Sequence, residues 1–193
     1  MPIREEGSPR ANRGPAAGPE NRRALIAAAR EVYAEAGLTA PFSQVAKRAG
    51  VGQGSLYRHF PDRTALAVAV FEDNMTELEG FAAAPARTIE DLLDLVADQA
   101  IVSSAFIELI SAQPEDRRVV HLGARYRDVV ASLVDRQRDI AGEASGLEVA
   151  DVLLATEMLA FAISRSAPGD RADAAARARR LLRSAFRPVG SSI

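Results

Sequence analysis

Residues 44–66, QVAKRAGVGQGSLYRHFPDRTAL, constrain the fold more tightly than any other stretch of the chain. Helical spacing breaks at Gly50-Val51-Gly52 and again at Pro61, so the segment holds only short helices joined by tight turns. Val45 and Ala46 give a first helix its inward face, and this helix ends near Ala49. Leu56 and Phe60, four apart, do the same for a second helix over about 53–60. Asp62 stands at an N-cap position and opens a longer helix carrying Leu66, Val70, Phe71, Met75 and Leu78. Two helices joined by a glycine-containing turn, the second exposing polar side chains, have the shape that fits the major groove of B-DNA.

The flanking sequence is also helical. Leu25, Ala29, Val32, Tyr33 and Ala36 recur at helical spacing from Glu20, and Gly37 follows where a C-cap glycine belongs. Pro41 is tolerated in a first helical turn. Beyond a connector at 81–87, the apolar positions predict helices near 88–112, 115–141, 147–165 and 170–187, interrupted by Pro114, Gly142/Gly146 and Pro168-Gly169. The predicted fold is all-α: a three-helix DNA-binding head over 20–66 and a helical body over 67–193, about nine helices in total. Residues 1–19, rich in Pro, Gly, Ala and Arg without periodicity, read as a disordered arm. The segment reads first as a solvated leader, with a basic arm of Arg4, Arg10 and Arg13 reaching a minor groove as the alternative.

Composition removes several function classes. The chain has no cysteine, which excludes disulfides, thiol nucleophiles and thiolate metal sites, and its two histidines supply metal chemistry poorly, so no metal or cofactor is expected. No signal-peptide core or membrane-length apolar run occurs, which predicts a soluble cytoplasmic protein with no membrane partner. The net charge of −2 conceals a division: residues 1–67 carry +4 and residues 68–193 carry −6. A basic head on an acidic body fits nucleic-acid binding confined to one end.

The segment AGVGQGSLYRHFPDRTAL resembles the DNA-binding signature of the TetR family, in which Ala-Gly-Val, a Gly, Leu-Tyr, a His or Tyr, Phe and a basic residue recur in this order. The likeness spans residues 22–71. It implies that Ser43, Gln53 and Ser55 face base edges, with Gln53 suited to adenine, while Tyr57, His59 and Arg63 hold phosphate and Arg58 serves either role. Gln44 and the backbone of Gly52 complete the DNA-facing set. The sequence departs from the family where Pro41-Phe42 stand in place of the small hydroxyl residues that often cap the second helix, and where Gly52 replaces a frequent Ser or Thr. Lys47 and Arg48 read as a solvated face, and Tyr57 has an alternative reading as a core aromatic with its hydroxyl in water.

One head touches one half-site, so specific binding calls for a symmetric pair, a homodimer. The apolar faces that would form it are Leu153, Leu154, Leu159 and Ile163, then Ala174, Ala178, Leu181, Leu182 and Phe186. The resemblance implies pairing through such helices in a four-helix bundle, and a small-molecule effector in the body whose binding releases a semi-palindromic operator. Candidate lining residues are Phe71, Met75, Leu78, Val96, Ser103, Phe106, Ile110, Tyr126, Val130, Met158 and Phe161, which would favour a largely hydrophobic ligand. Each taken singly is equally a core residue. Repression is the expected sign of regulation.

Two other classes compete. An enzyme could draw acid and base groups from Glu90, Asp91, Asp94 and Asp98, but positions 90, 94 and 98 repeat every four residues, as on an exposed helix face. No nucleophile order, phosphate loop or metal motif accompanies them. The other alternative is a helical ligand-binding or structural protein that lacks sequence-specific DNA binding.

Overall fold

The computed structural model describes residues 18–141, 146–167 and 169–186, and every regular element among them is an α-helix. These are α1 (Gly18–Ala36), α2 (Phe42–Ala49), α3 (Gln53–His59), α4 (Arg63–Ala83), α5 (Ile89–Asp98), α6 (Ala100–Ala112), α7 (Arg117–Ala141), α8 (Val149–Ser164) and α9 (Arg171–Phe186). The predicted arm falls outside the described residues, except that Gly18 and Pro19 already belong to α1. No described helix is long and apolar enough to cross a membrane.

The head forms where local rules place it. Gly37 and Gly50 end α1 and α2 in the left-handed region, at φ 69° and 65°, where a side chain would be strained. Gly50 donates to the Lys47 carbonyl at 3.2 Å and Val51 to Ala46 at 3.0 Å, which closes the turn into α3. Asp62 caps α4 by accepting from the Ala65 amide. Leu25, Val32, Val45, Leu56 and Leu66 are fully buried between these helices, each side chain contributing roughly 2 kcal/mol of transfer free energy.

The body differs from expectation at two breaks. The predicted helix over 88–112 is two helices, divided at Gln99, whose φ of −111° and ψ of 30° leave the α region without help from glycine or proline. Further upstream, α4 continues to Ala83, three residues into the expected connector at 81–87, the rest of which is non-helical. Its end is set from a distance: the Arg136 guanidinium donates to the carbonyls of Ala82, Ala84 and Arg87 at 2.8, 3.2 and 2.9 Å. Those carbonyls would otherwise lack partners at a helix terminus. α4 packs against α1 in the head and against α7 in the body, so one rigid element crosses between them.

Candidate nucleic-acid interface and ligand cavity

The outer surface of the head gathers the residues expected to face DNA. Leu56 and Phe60 point into the core, which turns Gln53, Tyr57 and Arg58 of α3 to solvent, with Ser55 and His59 half-buried. Ser43 and Arg63 are exposed at the first turns of α2 and α4, Gln44 is half-buried beside them, and Gly52 lies exposed at the entrance to α3. Gly52 is extended, at φ −65° and ψ 145°, and its carbonyl accepts from Ser55 and Leu56, but no side chain caps this helix. α2 likewise has no side-chain cap behind Pro41.

Two aromatic contacts brace this surface from beneath. Phe42, buried in the core, meets the exposed Tyr57 edge to face with ring centroids 5.2 Å apart. The Arg22 guanidinium lies 5.4 Å from the centre of the Phe60 ring. At 55% exposure Tyr57 is a surface residue and not a core aromatic, although its ring packs on Phe42. Arg48 is not a free solvated cation. It pairs with Glu35 through two bonds of 2.9 and 3.0 Å and with Glu31 at 3.0 Å, which locks α2 onto α1. The hydrogen bonds from Arg48 hold the Glu35 carboxyl below the usual carboxylate range.

Within the body, α4, α5, α6 and α7 enclose a cavity of about 200 Å³. Of the residues expected to line it, Phe71, Met75 and Leu78 of α4, Val96 of α5, Phe106 of α6 and Tyr126 of α7 do so. The aromatic rings run in series: Phe71 and Phe106 are 5.0 Å apart and Phe106 and Tyr126 5.7 Å, the second pair edge to face. Burial raises the Tyr126 pKa to about 12, so its hydroxyl stays protonated in the cavity wall.

The other expected lining residues lie elsewhere. Val130 is fully buried core, and the Ile110 side chain faces Gly123, 3.8 Å from where a Cβ on that glycine would stand. Met158 is 58% exposed on the outer face of α8, and Phe161 is half-buried, with Arg165 stacked on its ring at 5.7 Å. The Ser103 side chain falls outside the described ones. Sequence reading missed Asn74, Glu77 and Phe81 on α4, Leu92 and Leu95 on α5 and Ile107 on α6, and Gln99 at the helix break also lines the cavity. The spacing 71, 74, 78, 81 carried a signal for two of these walls, Asn74 and Phe81, because this face of α4 continues past Leu78 to Phe81.

The residues proposed to pair two chains divide by burial. Leu159 and Ile163 belong to the core of the single chain, and Leu153, Ala174, Ala178 and Leu182 are half-buried. Leu154 and Leu181 are 56% and 72% exposed, and Met158 stands one turn beyond Leu154. The Phe186 side chain is outside the described ones. The carboxylates of Glu90, Asp94 and Asp98 do not form an open face, because Arg179 and Arg183 of α9 pair with them. Among the described residues no group of three or more His, Asp or Glu side chains is placed to hold a metal ion.

Residues 25–70 match the family model described as bacterial regulatory proteins, tetR family. No protein of curated function matches the chain. Among solved structures, the chain is similar to the TetR transcriptional regulator SCO0520 of Streptomyces coelicolor, with 25% identity and a TM-score of 0.57 over 88% of this chain and 99% of that one. A TetR transcription regulatory protein of Mycobacterium vanbaalenii aligns with 23% identity and a TM-score of 0.59, over 89% and 98% of the two chains. The transcriptional regulator FadR of Bacillus subtilis, solved in complex with stearoyl-CoA, shares the fold at 17% identity and a TM-score of 0.56, over 86% and 99%.

Proposed function

We propose that this chain, whose head matches the tetR family model and whose fold is that of TetR-family regulators, is a DNA-binding transcription regulator, a repressor that a small molecule releases from its operator. In this reading a homodimer sets two copies of α3 in successive major grooves of a semi-palindromic site, about 34 Å apart. Gln53 and Ser55 read bases, joined by Ser43. Tyr57, His59 and Arg63 hold phosphate. A largely hydrophobic effector occupies the cavity between α4 and α7.

The observation that carries the proposal is the placement of α4. Its first residue, Arg63, is exposed on the head, where the phosphate contact is proposed, and Phe71, Met75, Leu78 and Phe81 further along it form the cavity wall. A ligand that prefers one tilt of this helix changes the spacing of the heads to the extent that it binds the two states differently. FadR of Bacillus subtilis was solved with stearoyl-CoA, so a protein of this fold is capable of holding a ligand with a long apolar chain. Dimerisation would use the exposed Leu154, Met158 and Leu181 of α8 and α9.

The test is selection of bound sites from random duplex DNA, beginning with the region upstream of the protein's own gene. Enrichment of a semi-palindrome with half-sites one helical turn apart is expected. Absence of any enriched site at low salt overturns the regulator reading in favour of a helical ligand-binding protein without sequence-specific DNA binding.

A further inference from the structure

Charge is distributed unevenly around the cavity. After Arg63, α4 carries four carboxylates and no basic residue, and α5 carries four more, again with none. Arginines from elsewhere engage six of these eight. Arg30 of α1 takes Asp73, Arg125 of α7 takes Glu79, and Arg87 takes Asp91. Arg179 and Arg183 of α9 take Glu90, Asp94 and Asp98.

Glu72 and Glu77 make no ion pair within 4 Å among the described residues, although Glu72 lies in the field of Arg125, and of the two only Glu77 lines the cavity. It is exposed, so its carboxylate stands at the mouth. No basic side chain is among the described walls; the polar atoms there come from Glu77, Asn74, Gln99 and Tyr126. Arg87 is near by, but it is stacked on Phe81 at 4.7 Å and paired with Asp91, so it is already occupied. That stack also demonstrates that a cation can settle on an aromatic wall of this cavity.

We infer that the cavity takes a hydrophobic ammonium compound, whose positive nitrogen pairs with Glu77 at the mouth while its apolar body lies against Phe71, Phe106 and Met75. The inference rests on the cavity being the effector site and adds the charge of the ligand. An anionic ligand would meet an uncompensated carboxylate at the entrance and no cation within. A neutral one could at most donate a hydrogen bond to Glu77 and would leave its charge uncompensated. An ammonium gains from Glu77 and from the negative faces of the rings together.

Three probes with the same ten-carbon chain test this on the full-length protein by titration calorimetry: decyltrimethylammonium, decanol and decanoate. The expected order is cation over alcohol by about tenfold, with the carboxylate weakest. Glu77→Gln is expected to reduce the cation's affinity by about fivefold and leave decanol unchanged, and raised salt is expected to narrow the same gap. Glu72→Gln, which removes an unpaired carboxylate outside the cavity, should alter neither. Both substitutions are at exposed positions and leave the fold intact by circular dichroism. If decanol binds and the cation gains nothing over it, or if Glu77→Gln has no effect on their ratio, the ammonium inference fails and the effector cavity stands. If decanoate binds best, the inference fails outright. If none of the three binds, the cavity reading fails and the ammonium inference falls with it.

Discussion

The ring of Phe42 supports the ring of Tyr57 from below, at a centroid separation of 5.2 Å and an interplanar angle of 71°. Phe42 opens α2, where Pro41 supplies no capping side chain, so the helix start is held by core packing in place of a capping hydroxyl. Phe42→Ala should therefore act twice: a loss of about 3 kcal/mol in urea unfolding, as for truncation of a buried aromatic, and weaker DNA binding at every sequence. Tyr57→Phe retains the ring contact, so it should leave the unfolding midpoint in place and weaken DNA binding alone. Equal destabilisation by both substitutions would show that the Tyr57 hydroxyl has a structural role.

Base reading and phosphate holding separate in the same way. Gln53→Ala is expected to relax preference at one base position, at a cost of about 1–3 kcal/mol to the best site and little to random DNA. Arg63→Ala should weaken all duplexes alike and lower the slope of log affinity against log salt by about one. Competition binding at three salt concentrations measures both. A uniform effect of Gln53→Ala would remove that residue from the base-reading set.

Why the head was legible and the body was not follows from these residues. Gly50, Gly52, Pro61, Asp62 and the Leu56/Phe60 pair act within one or two turns of themselves, so spacing alone locates the short helices. In the body the deciding contacts are long-range. Gln99 ends α5 with no local breaker, and Arg136 caps α4 from some fifty residues away. Val130, Ile110 and Met158 have the same apolar character as Phe106 and Tyr126. Only helix rotation sends the first three to the core, to Gly123 and to the surface, and the other two to the cavity.

The repeat of acids at 90, 94 and 98 is a case in point, because the same spacing serves an exposed face or a ladder to a neighbouring helix. Arg179 pairs with the carboxylates of both Asp94 and Asp98, and Arg183 donates to Asp94 at 2.8 Å. Arg179→Ala should cost about 1 kcal/mol in urea unfolding, more at low salt than at high, since these groups are partly exposed. No change at low salt would return this row of acids to the status of a solvated face.

Acid stability has a traceable source at the start of α7. Arg118 reaches Asp116 at 2.7 and 3.0 Å and Asp62, the cap of α4, at 3.5 Å. The hydrogen bonds from Arg118 lower the Asp116 pKa from 3.8 to about 2. A carboxyl whose folded pKa lies below its unfolded value contributes stability above the unfolded pKa and loses it as pH falls through the folded one. Unfolding free energy should therefore decline between about pH 4 and pH 2, and Asp116→Asn should flatten that part of the profile while lowering the neutral plateau. An unaltered slope in the variant would assign the acid lability to other carboxylates, with Glu35 and Glu79, both also lowered by arginine hydrogen bonds, next in line.

The homodimer is testable at Leu154. This residue and Met158 lie one turn apart on α8, 56% and 58% exposed, and neither is part of the single chain's core. Leu154→Glu leaves the internal packing of α8 on Val152, Ala155, Leu159 and Ile163 unchanged, so the fold should survive by circular dichroism. If the exposed stripe pairs two chains, a carboxylate there meets apolar surface, or its own copy across a twofold axis, and sedimentation should report a monomer at micromolar concentration. Loss of the second half-site should then reduce operator affinity by about a hundredfold or more, while binding to a single half-site remains. A dimer that persists in Leu154→Glu would move the pairing surface away from this face of α8.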